Sequence, residues 1–583
     1  MSHRFSNKEV VALLKEVLAA MEIKGANRFR IRAYQNAIAS MDNLTQSVYD
    51  LWQNNRLDEI PGVGGGLSQH LTDLFEKGSV KEFDRVRKAL PQGMFSLITL
   101  RGVGAKKAYK LAKAFDLDER KGALEKLKKI AESGQIRELE GFGEKSEKDI
   151  LDAIKDVKIS KSERKRLLLI QAERVAEEFM AYMLENELVK EIHPLGSLRR
   201  RSETVGDIDM SVSTEKSEEV LGYFVANPKI REVVSKGDRM STVLYGDDMQ
   251  IDLLTSDPDS YGSLLQHFTG SKQHNILLRT YALEKGLSLS QYGVKKGKEL
   301  VKFANEKEFY KYLGLPWIPP ELREGKDEIE LALKGELPVL VELSDVKGDV
   351  HIHTTASSDG LSTLEEMVST AWEIGHEYIG ISDHNPSVAS RGVGEVRKLV
   401  EKQAKAVRQI DKKYDDIKVL LGYEVSILAD STLAMPDDLL EKLDYVIASI
   451  HSSLDHPREK ITKRLVAAIR HPLVNIIGHP SGRLLNERPA CDIDWKVVLE
   501  EIKKHNKILE INAQPNRLDL PYDLVKEAKE MGIKFVVNTD AHEVEGLGLM
   551  KYGVDVARRG WCEKKDVVNT YSLEDFLGVL GKK

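Results

Sequence analysis

Cysteine is nearly absent from this chain: Cys491 and Cys562 are the only two in 583 residues. Two cannot build a disulfide framework, which points to a reducing compartment and to small buried apolar roles for both. Long apolar runs are missing as well. No stretch is long enough to cross a bilayer and no leader pattern opens the sequence, so the expectation is a cytoplasmic protein with no membrane partner. A strong excess of one charge is also missing. The formal net charge is −6 and the pI near 6.3, which excludes a uniformly basic nucleic-acid coat but leaves room for local basic patches. What the chain does have is length and apolar content. With 41% hydrophobic residues it can build three to five packed domains.

Three stretches repeat one pattern about 40 residues apart: DEIPGVGGGLSQHL, ITLRGVGAKKAYKL and LEGFGEKSEKDI. Each carries apolar residues, a Gly-apolar-Gly turn (Gly62/Gly64, Gly102/Gly104, Gly141/Gly143) and a helix start. The surrounding periodicity is helical, so residues 1–155 are expected to be all-α. The basic run 161–169 reads as a solvated helix start. Beyond it, short strands around EIHPLGS, DIDMSVS, MSTVLYG and MQIDLLT predict an α+β domain with an antiparallel or mixed sheet. The expected division is 1–88 and 89–158 (two helical domains), 159–256 (the sheet domain), 257–318 (a smaller α+β part), 319–345 (a linker) and 346–583.

The last segment alternates strand and helix. Seven strands, VHIHT, YIGISDH, KVLLGYEV, YVIASIHS, NIIGHP, ILEINA and KFVVNTDAH, predict a closed parallel (βα)7 barrel. Histidines and carboxylates recur at their carboxyl ends: His351, His353, Asp359, His384, Glu424, His451, His479, Asp540 and His542. A parallel barrel gathers those ends on one rim, where nine such side chains are hard to accommodate without cations. Imidazole and carboxylate donors suit zinc, manganese or iron, and nine exceed the needs of one ion. Closely spaced ions can hold a hydroxide nucleophile and stabilise both oxygens of an in-line phosphoryl displacement. HIHTTASSDG, SDH, GYE, SIHS, GHP and TDAH resemble, in order, the motifs of the PHP (polymerase and histidinol phosphatase) family over about residues 346–575. That resemblance implies a trinuclear phosphoesterase site holding Zn²⁺ or Mn²⁺, with every ligand position filled.

A second constellation is PLGSLRRRSETVGDIDMSV. Asp207 and Asp209, two apart on a strand, share a face, and MQIDLLT places Asp252 on a nearby strand. Three carboxylates on one face need cations, and an oxygen-only set favours Mg²⁺ or Mn²⁺. Gly196 and Ser197, followed by Arg199 and Arg200, offer backbone donors, a hydroxyl and guanidinium groups for phosphates. GS-x-RR followed by Gly206 and DIDM resembles the signature of the nucleotidyltransferases. HFTGSKQHNILLRTYALEKGLSLSQYG resembles the nucleotide-selecting region of family X DNA polymerases, the group of DNA polymerase beta. The resemblance implies Phe268 and Gly270 against the incoming sugar, Asn275 at the incoming base and Arg279 at the templating nucleotide. The family's Tyr-Phe pair is His267-Phe268 here.

With a polymerase core downstream, the glycine turns resemble helix-hairpin-helix motifs, whose helix N-termini grip DNA phosphates without reading sequence; Lys106 adds a cation. Joined to a PHP barrel, the whole chain resembles bacterial and archaeal family X polymerases. The resemblance implies a monomer that binds gapped or primed DNA and dNTPs, fills short gaps in repair, and hydrolyses phosphodiesters in the barrel as a 3′–5′ exonuclease, abasic-site endonuclease or 3′-end cleaner. Two rivals are a barrel that only braces the polymerase and a fused small-molecule phosphatase. Polymerases of the beta type also excise a 5′-deoxyribose phosphate through a lysine that stands eight residues after the first glycine of the first turn; that position is His70. Imidazole forms no stable imine, so this activity is expected to be weak or absent.

Overall fold

The computed structural model describes residues 5–581 apart from 6, 43–47, 54, 55, 61, 101, 161–165, 247 and 248. Residues 161–165 of the basic run therefore lie outside the described residues. The chain forms two compact units, 1–164 and 165–583.

The described residues of the first unit are helical, packed around two apolar clusters. One gathers Val10, Leu14, Tyr34, Leu71, Phe75 and Phe83; the other gathers Leu97, Leu111, Leu127 and Ile154. The three glycine turns share one backbone geometry. Gly62, Gly102 and Gly141 sit at φ +91°, +77° and +83°, a region open to glycine without strain. The middle residue of each turn (Val63, Val103, Phe142) is buried and donates its N–H to the carbonyl three residues back, at 2.9, 3.1 and 2.9 Å. Gly64 and Gly104 then cap the helices Gly65–Lys77 and Ala105–Ala114, and Gly143 precedes Glu144–Ser160. The apolar anchor faces inward; Gly64, Gly102, Gly104, Gly141 and Gly143 are exposed, whereas Gly62 packs against Asn36 and Ala37, where a Cβ would come within 2.5 Å of the Ala37 nitrogen.

In the second unit, a five-stranded mixed sheet runs β1 (Glu191–Pro194), β2 (Ile208–Ser213), β5 (Met249–Ser256), β4 (Met240–Tyr245), β3 (Ile230–Lys236) in spatial order. β2 and β5 are parallel; the other pairs are antiparallel. Helix Leu169–Leu184 buries Leu169, Ala172, Ala176, Phe179 and Met183, a stripe at helical spacing that docks in the same core as Val212 and Leu253. Next come helices Tyr261–Thr269 and Lys272–Glu284 and a small antiparallel sheet, β6 (Leu287–Ser290), β7 (Gly293–Lys296) and β8 (Glu299–Val301).

The segment 319–345 departs from the linker expectation. Leu322, Ile329, Ala332 and Leu340 enter one apolar cluster with Leu278, Phe309 and Tyr310. Two of its charges are buried and paired: Arg323, fully buried, bonds Glu306 at 2.6 Å, and Glu328 accepts from buried His274 at 2.7 Å. Proline and charge read as solvent-facing in sequence because the partners lie far away in the chain.

Seven parallel strands follow in sequential order: β9 (Gly348–Asp349), β10 (Tyr378–Ile381), β11 (Lys418–Ser426), β12 (Tyr445–Ser449), β13 (Ile476–Ile477), β14 (Ile508–Asn512) and β15 (Lys534–Asn538). Ile352 bridges Ala541 in parallel, and His353 N–H donates to the Ala541 carbonyl at 2.8 Å, so the first and last strands meet as a nearly closed (βα)7 barrel. Tyr445 lies inside, its hydroxyl donating to the Val350 carbonyl at 2.7 Å. Gly380 and Gly422 leave it room: a Cβ at either would come within 2.3 Å of its ring or hydroxyl. Helix Leu573–Val579 closes the lower end, with Phe576 stacked on Tyr378 at 4.9 Å.

Candidate metal centres

The five-stranded sheet forms a palm whose carboxylates are brought together by strand register. β2 and β5 pair so that Asp209 and Asp252 are direct neighbours, and Asp207 stands just before β2. One oxygen from each of Asp207, Asp209 and Asp252 lies within 4.8 Å of the others. Burial, then the neighbouring Asp207 and Asp252, pushes the Asp209 carboxyl up to about 7. Gln250 Nε2 donates to Asp252 at 3.0 Å. Gly196, at φ +54°, opens the short helix Gly196–Arg199 against this site; a Cβ there would sit 2.8 Å from Asp209 Oδ2. An oxygen-only, like-charged cluster fits a hard divalent cation such as Mg²⁺ or Mn²⁺.

The flanking residues take the following places. Ser197 is half-buried, and its carbonyl accepts from Ser202 N–H at 2.9 Å. Gly206 is exposed beside Asp207. Arg199 bonds Glu306 at 2.6 Å, and Arg200 Nη1 donates to the Thr269 carbonyl at 2.6 Å, so both guanidiniums are engaged within the protein. Phe268 packs on the cluster of Leu195, Leu254, Tyr261 and Leu264. Gly270, at φ +69°, ends the helix beside Arg200. Asn275 Nδ2 donates to the His267 carbonyl at 2.7 Å, and Arg279 Nη2 lies 3.3 Å from His267 Nδ1. His267 thus contacts both, Asn275 through its backbone and Arg279 through the ring that replaces the family's tyrosine.

The barrel rim gathers all nine residues singled out there. Their donor atoms form overlapping groups, each within 4.8 Å: His353, Asp359, His384 and His542; His351, Glu424 and His479; His351, His353 and Asp540; His384, Glu424 and His451. His351, His353, His384 and Glu424 each belong to two groups, as bridging or adjacent cation sites require. His351 Nε2, His353 Nε2, His479 Nδ1 and Glu424 Oε2 are buried without a well-aligned hydrogen bond, although His353 Nε2 lies 3.1 Å from Asp540 and Glu424 Oε2 2.8 Å from His384 Nδ1. Buried polar atoms are rarely left so, and their convergence fits cations held among them.

The other ring nitrogens are held by partners. His351 Nδ1 donates to Glu510 at 2.6 Å, His542 Nδ1 to the Asp540 carbonyl at 2.8 Å, and His451 Nδ1 lies 3.0 Å from Ser426 Oγ. Burial opposes charge at His351, but Glu510, Asp540 and Glu424 outweigh it and hold the imidazole well above its ordinary pKa. The same ion pairing holds Glu424 and Asp540 below the usual carboxylate range despite burial. Without a cation His351 thus holds a proton that a cation would displace. His479 and Asp540 adopt φ of +25° and +53°, backbone strain located at proposed ligands.

Sequence reading missed Glu510, Asp383 and Arg517. Glu510 is fully buried on β14 and also accepts from His479 N–H at 2.7 Å. Asp383 accepts from Thr354 N–H at 2.6 Å, fixing the loop after His353. Arg517 Nε lies 3.8 Å from Asp540. A carboxylate inside the apolar run ILEIN was the available signal for Glu510.

The glycine turns differ in charge. Lys106 and Lys107 stand exposed just after Gly104. The third turn is flanked by Glu140 and Glu144, both exposed, and Glu147 in its first helical turn accepts from Arg137 N–H at 3.0 Å. His70, at the lysine position, lies 3.2 Å from the Tyr34 hydroxyl and 3.1 Å from Glu82.

Glycine-turn helices, a mixed sheet with three clustered carboxylates and a (βα)7 barrel with nine clustered donors in one chain define the class: a nucleotidyltransferase of the DNA polymerase beta kind joined to a PHP domain. Family models agree: a helix-hairpin-helix domain matches residues 5–80, the DNA polymerase beta thumb 264–324 and the PHP domain 349–514. The chain is 35% identical over 572 residues to the DNA polymerase/3′-5′ exonuclease PolX of Bacillus subtilis strain 168, covering 97% of this chain and 98% of that one. It belongs to the PolX family, the family X DNA polymerases that carry a PHP domain. The barrel alone is also similar to probable phosphatases. One from Thermoanaerobacter sp. strain X514 is 31% identical over 236 residues, 38% of this chain and 89% of that one. Another, from Caldicellulosiruptor saccharolyticus, is 30% identical over 253 residues, 40% of this chain and 95% of that one. Among the described residues no helix is long and apolar enough to cross a membrane.

Proposed function

We propose that the chain is a DNA-directed DNA polymerase that fills short gaps during repair, with a separate 3′–5′ exonuclease in the barrel. The observation that carries the reading is a full donor set at each centre of one chain: three carboxylate oxygens in the palm and nine donors at the rim.

Asp207, Asp209 and Asp252 would hold Mg²⁺ or Mn²⁺, which would lower the pKa of the primer 3′-hydroxyl and neutralise the triphosphate. The deoxynucleotide sugar lies against Phe268 and Gly270, the base against Asn275 and the templating nucleotide against Arg279. The primer O3′ attacks the α-phosphorus in line, the bond to the β-phosphate oxygen breaks, and pyrophosphate leaves. The turns at Gly62, Gly102 and Gly141 hold the duplex by its phosphates.

In the barrel, His351, His353, Asp359, His384, Glu424, His451, His479, Asp540 and His542 would hold Zn²⁺ or Mn²⁺, three ions by the family pattern, supplying hydroxide at neutral pH. Glu510, Ser426 and the Asp540 carbonyl keep three of the rings in register for that donor set. Arg517 is placed to meet a scissile phosphate.

The similarity of the barrel to probable phosphatases favours a second reading, in which it removes phosphate monoesters. A gapped duplex incubated with and without dNTPs across Mg²⁺, Mn²⁺ and Zn²⁺ tests the first reading. It predicts extension with dNTPs and 3′-end loss without them. Hydrolysis of a small phosphate monoester in place of the DNA end would support the second.

A further inference from the structure

Between the helix Gly196–Arg199 and the carboxylate strand β2 run Arg200, Arg201, Ser202 and Glu203, and the barrel holds every one of them. Arg559, the last residue of helix Met550–Arg559, donates through Nη1 to the Arg200 carbonyl at 2.6 Å and reaches Ser202 Oγ at 3.4 Å. Asp555 of the same helix accepts from Arg201 at 2.8 Å. Arg483 grips the Glu203 carboxylate with both terminal nitrogens, at 2.9 and 3.0 Å. Glu324 sits between two guanidiniums, 3.0 Å from Arg559 Nη2 and 3.3 Å from Arg200 Nε. Arg200 spends its remaining reach on the Thr269 carbonyl, next to Gly270. Arg559 is 4% exposed and lies over the Tyr522 ring at 4.2 Å.

We propose that Arg559 is a positioning residue of the polymerase centre, supplied by the barrel. It pins the Arg200 carbonyl and, through Glu324, aims the Arg200 side chain at the Thr269 carbonyl, which fixes the turn against which the incoming deoxynucleotide sits. The inference rests on the polymerase reading of the palm. Without Arg559, Glu324 keeps Arg200 as its partner, and a charge-assisted bidentate pair between them is the stronger arrangement. The Thr269 carbonyl then loses its donor and the turn at Gly270 loosens. A shift of about 1 Å at such a turn is enough to cost on the order of 10²-fold in reactivity. The rim is untouched by this change.

Single-nucleotide insertion into a one-nucleotide gap with Mg²⁺, and hydrolysis of the same primer end without dNTPs, are measured for the full chain and for R559M, R559K and E324Q. E324Q is near-isosteric and guards against misfolding of R559M. R559M and E324Q are expected to raise KM for the dNTP about tenfold with a smaller loss in kcat, while primer hydrolysis stays within about twofold of wild type. R559K, which can still bond the Arg200 carbonyl, should fall between. An unchanged KM in both R559M and E324Q, or extension and hydrolysis falling together in both, overturns the proposal. A wild-type chain that inserts no nucleotide refutes the polymerase reading, and the positioning role with it.

Discussion

The palm and the barrel rim both crowd ionisable side chains together, and they do so with opposite chemistry. The palm offers three carboxylates on and beside two neighbouring interior strands, with Asp207 exposed, Asp252 buried and Asp209 holding its proton up to about pH 7. The rim offers six histidines and three carboxylates around a barrel mouth, several of them fully buried and held by neighbours such as Glu510. A bare carboxylate trio leaves cation coordination to be completed by water and by the triphosphate itself, so its ions should exchange freely. A histidine-rich, pre-organised set should hold its ions between turnovers.

The sharpest way to break this contrast is to strip the metals. After exhaustive chelation and dialysis, Mg²⁺ alone should restore extension while primer hydrolysis stays down on the order of 10³-fold, until Mn²⁺ or Zn²⁺ is added. Recovery of both activities with Mg²⁺ alone would erase the distinction.

Protonation separates the centres next. The Asp209 carboxyl is raised from 3.8 to about 7, so the metal-free fold binds an extra proton there. That stabilising contribution is present below the ordinary aspartate pKa and is lost as pH rises toward 7. Divalent cations compete with the proton, so Mg²⁺ affinity should weaken by up to about tenfold per pH unit below 7. In D209N the metal-free protein should gain on the order of 1–2 kcal/mol at pH 8 and lose its stabilisation by Mg²⁺. Thermal melts with and without Mg²⁺ across pH 5–8 check both effects.

Among the glycine turns the contrast is smaller. K106A with K107A should weaken gapped-duplex binding and reduce the salt slope by about two, whereas alanines at Gly141 and Gly143 should cost less because Glu140 and Glu144 already repel phosphate. Filter binding at several salt concentrations ranks them. The smallest signal is an expected blank: borohydride on a 5′-incised abasic duplex should trap no covalent adduct, since His70 replaces the lysine. Efficient trapping that is lost on mutating a lysine in the first 90 residues would show a relocated nucleophile.

The sequence disclosed residues whose chemistry is carried by spacing. Asp207, Asp209 and the HxH of the first barrel strand stand out because strand alternation puts them on one face. The turns at Gly62, Gly102 and Gly141 stand out because a repeat is visible without any fold. Glu510, Glu324 and Arg559 did not, since each acts through a residue more than 30 positions away (His479, Arg200) and none sits at a strand end. The linker expectation for 319–345 failed because pairing is not visible in the chain: Arg323 and Glu328 look solvated until Glu306 and His274 are placed beside them.

The most direct test of two independent centres is an exchange of knockouts on one gapped duplex. D209A should lose extension and keep primer hydrolysis, and H353A should lose hydrolysis and keep extension, each retained rate within about twofold of wild type. Loss of both activities in either variant, with the protein still folded by circular dichroism, would contradict the account.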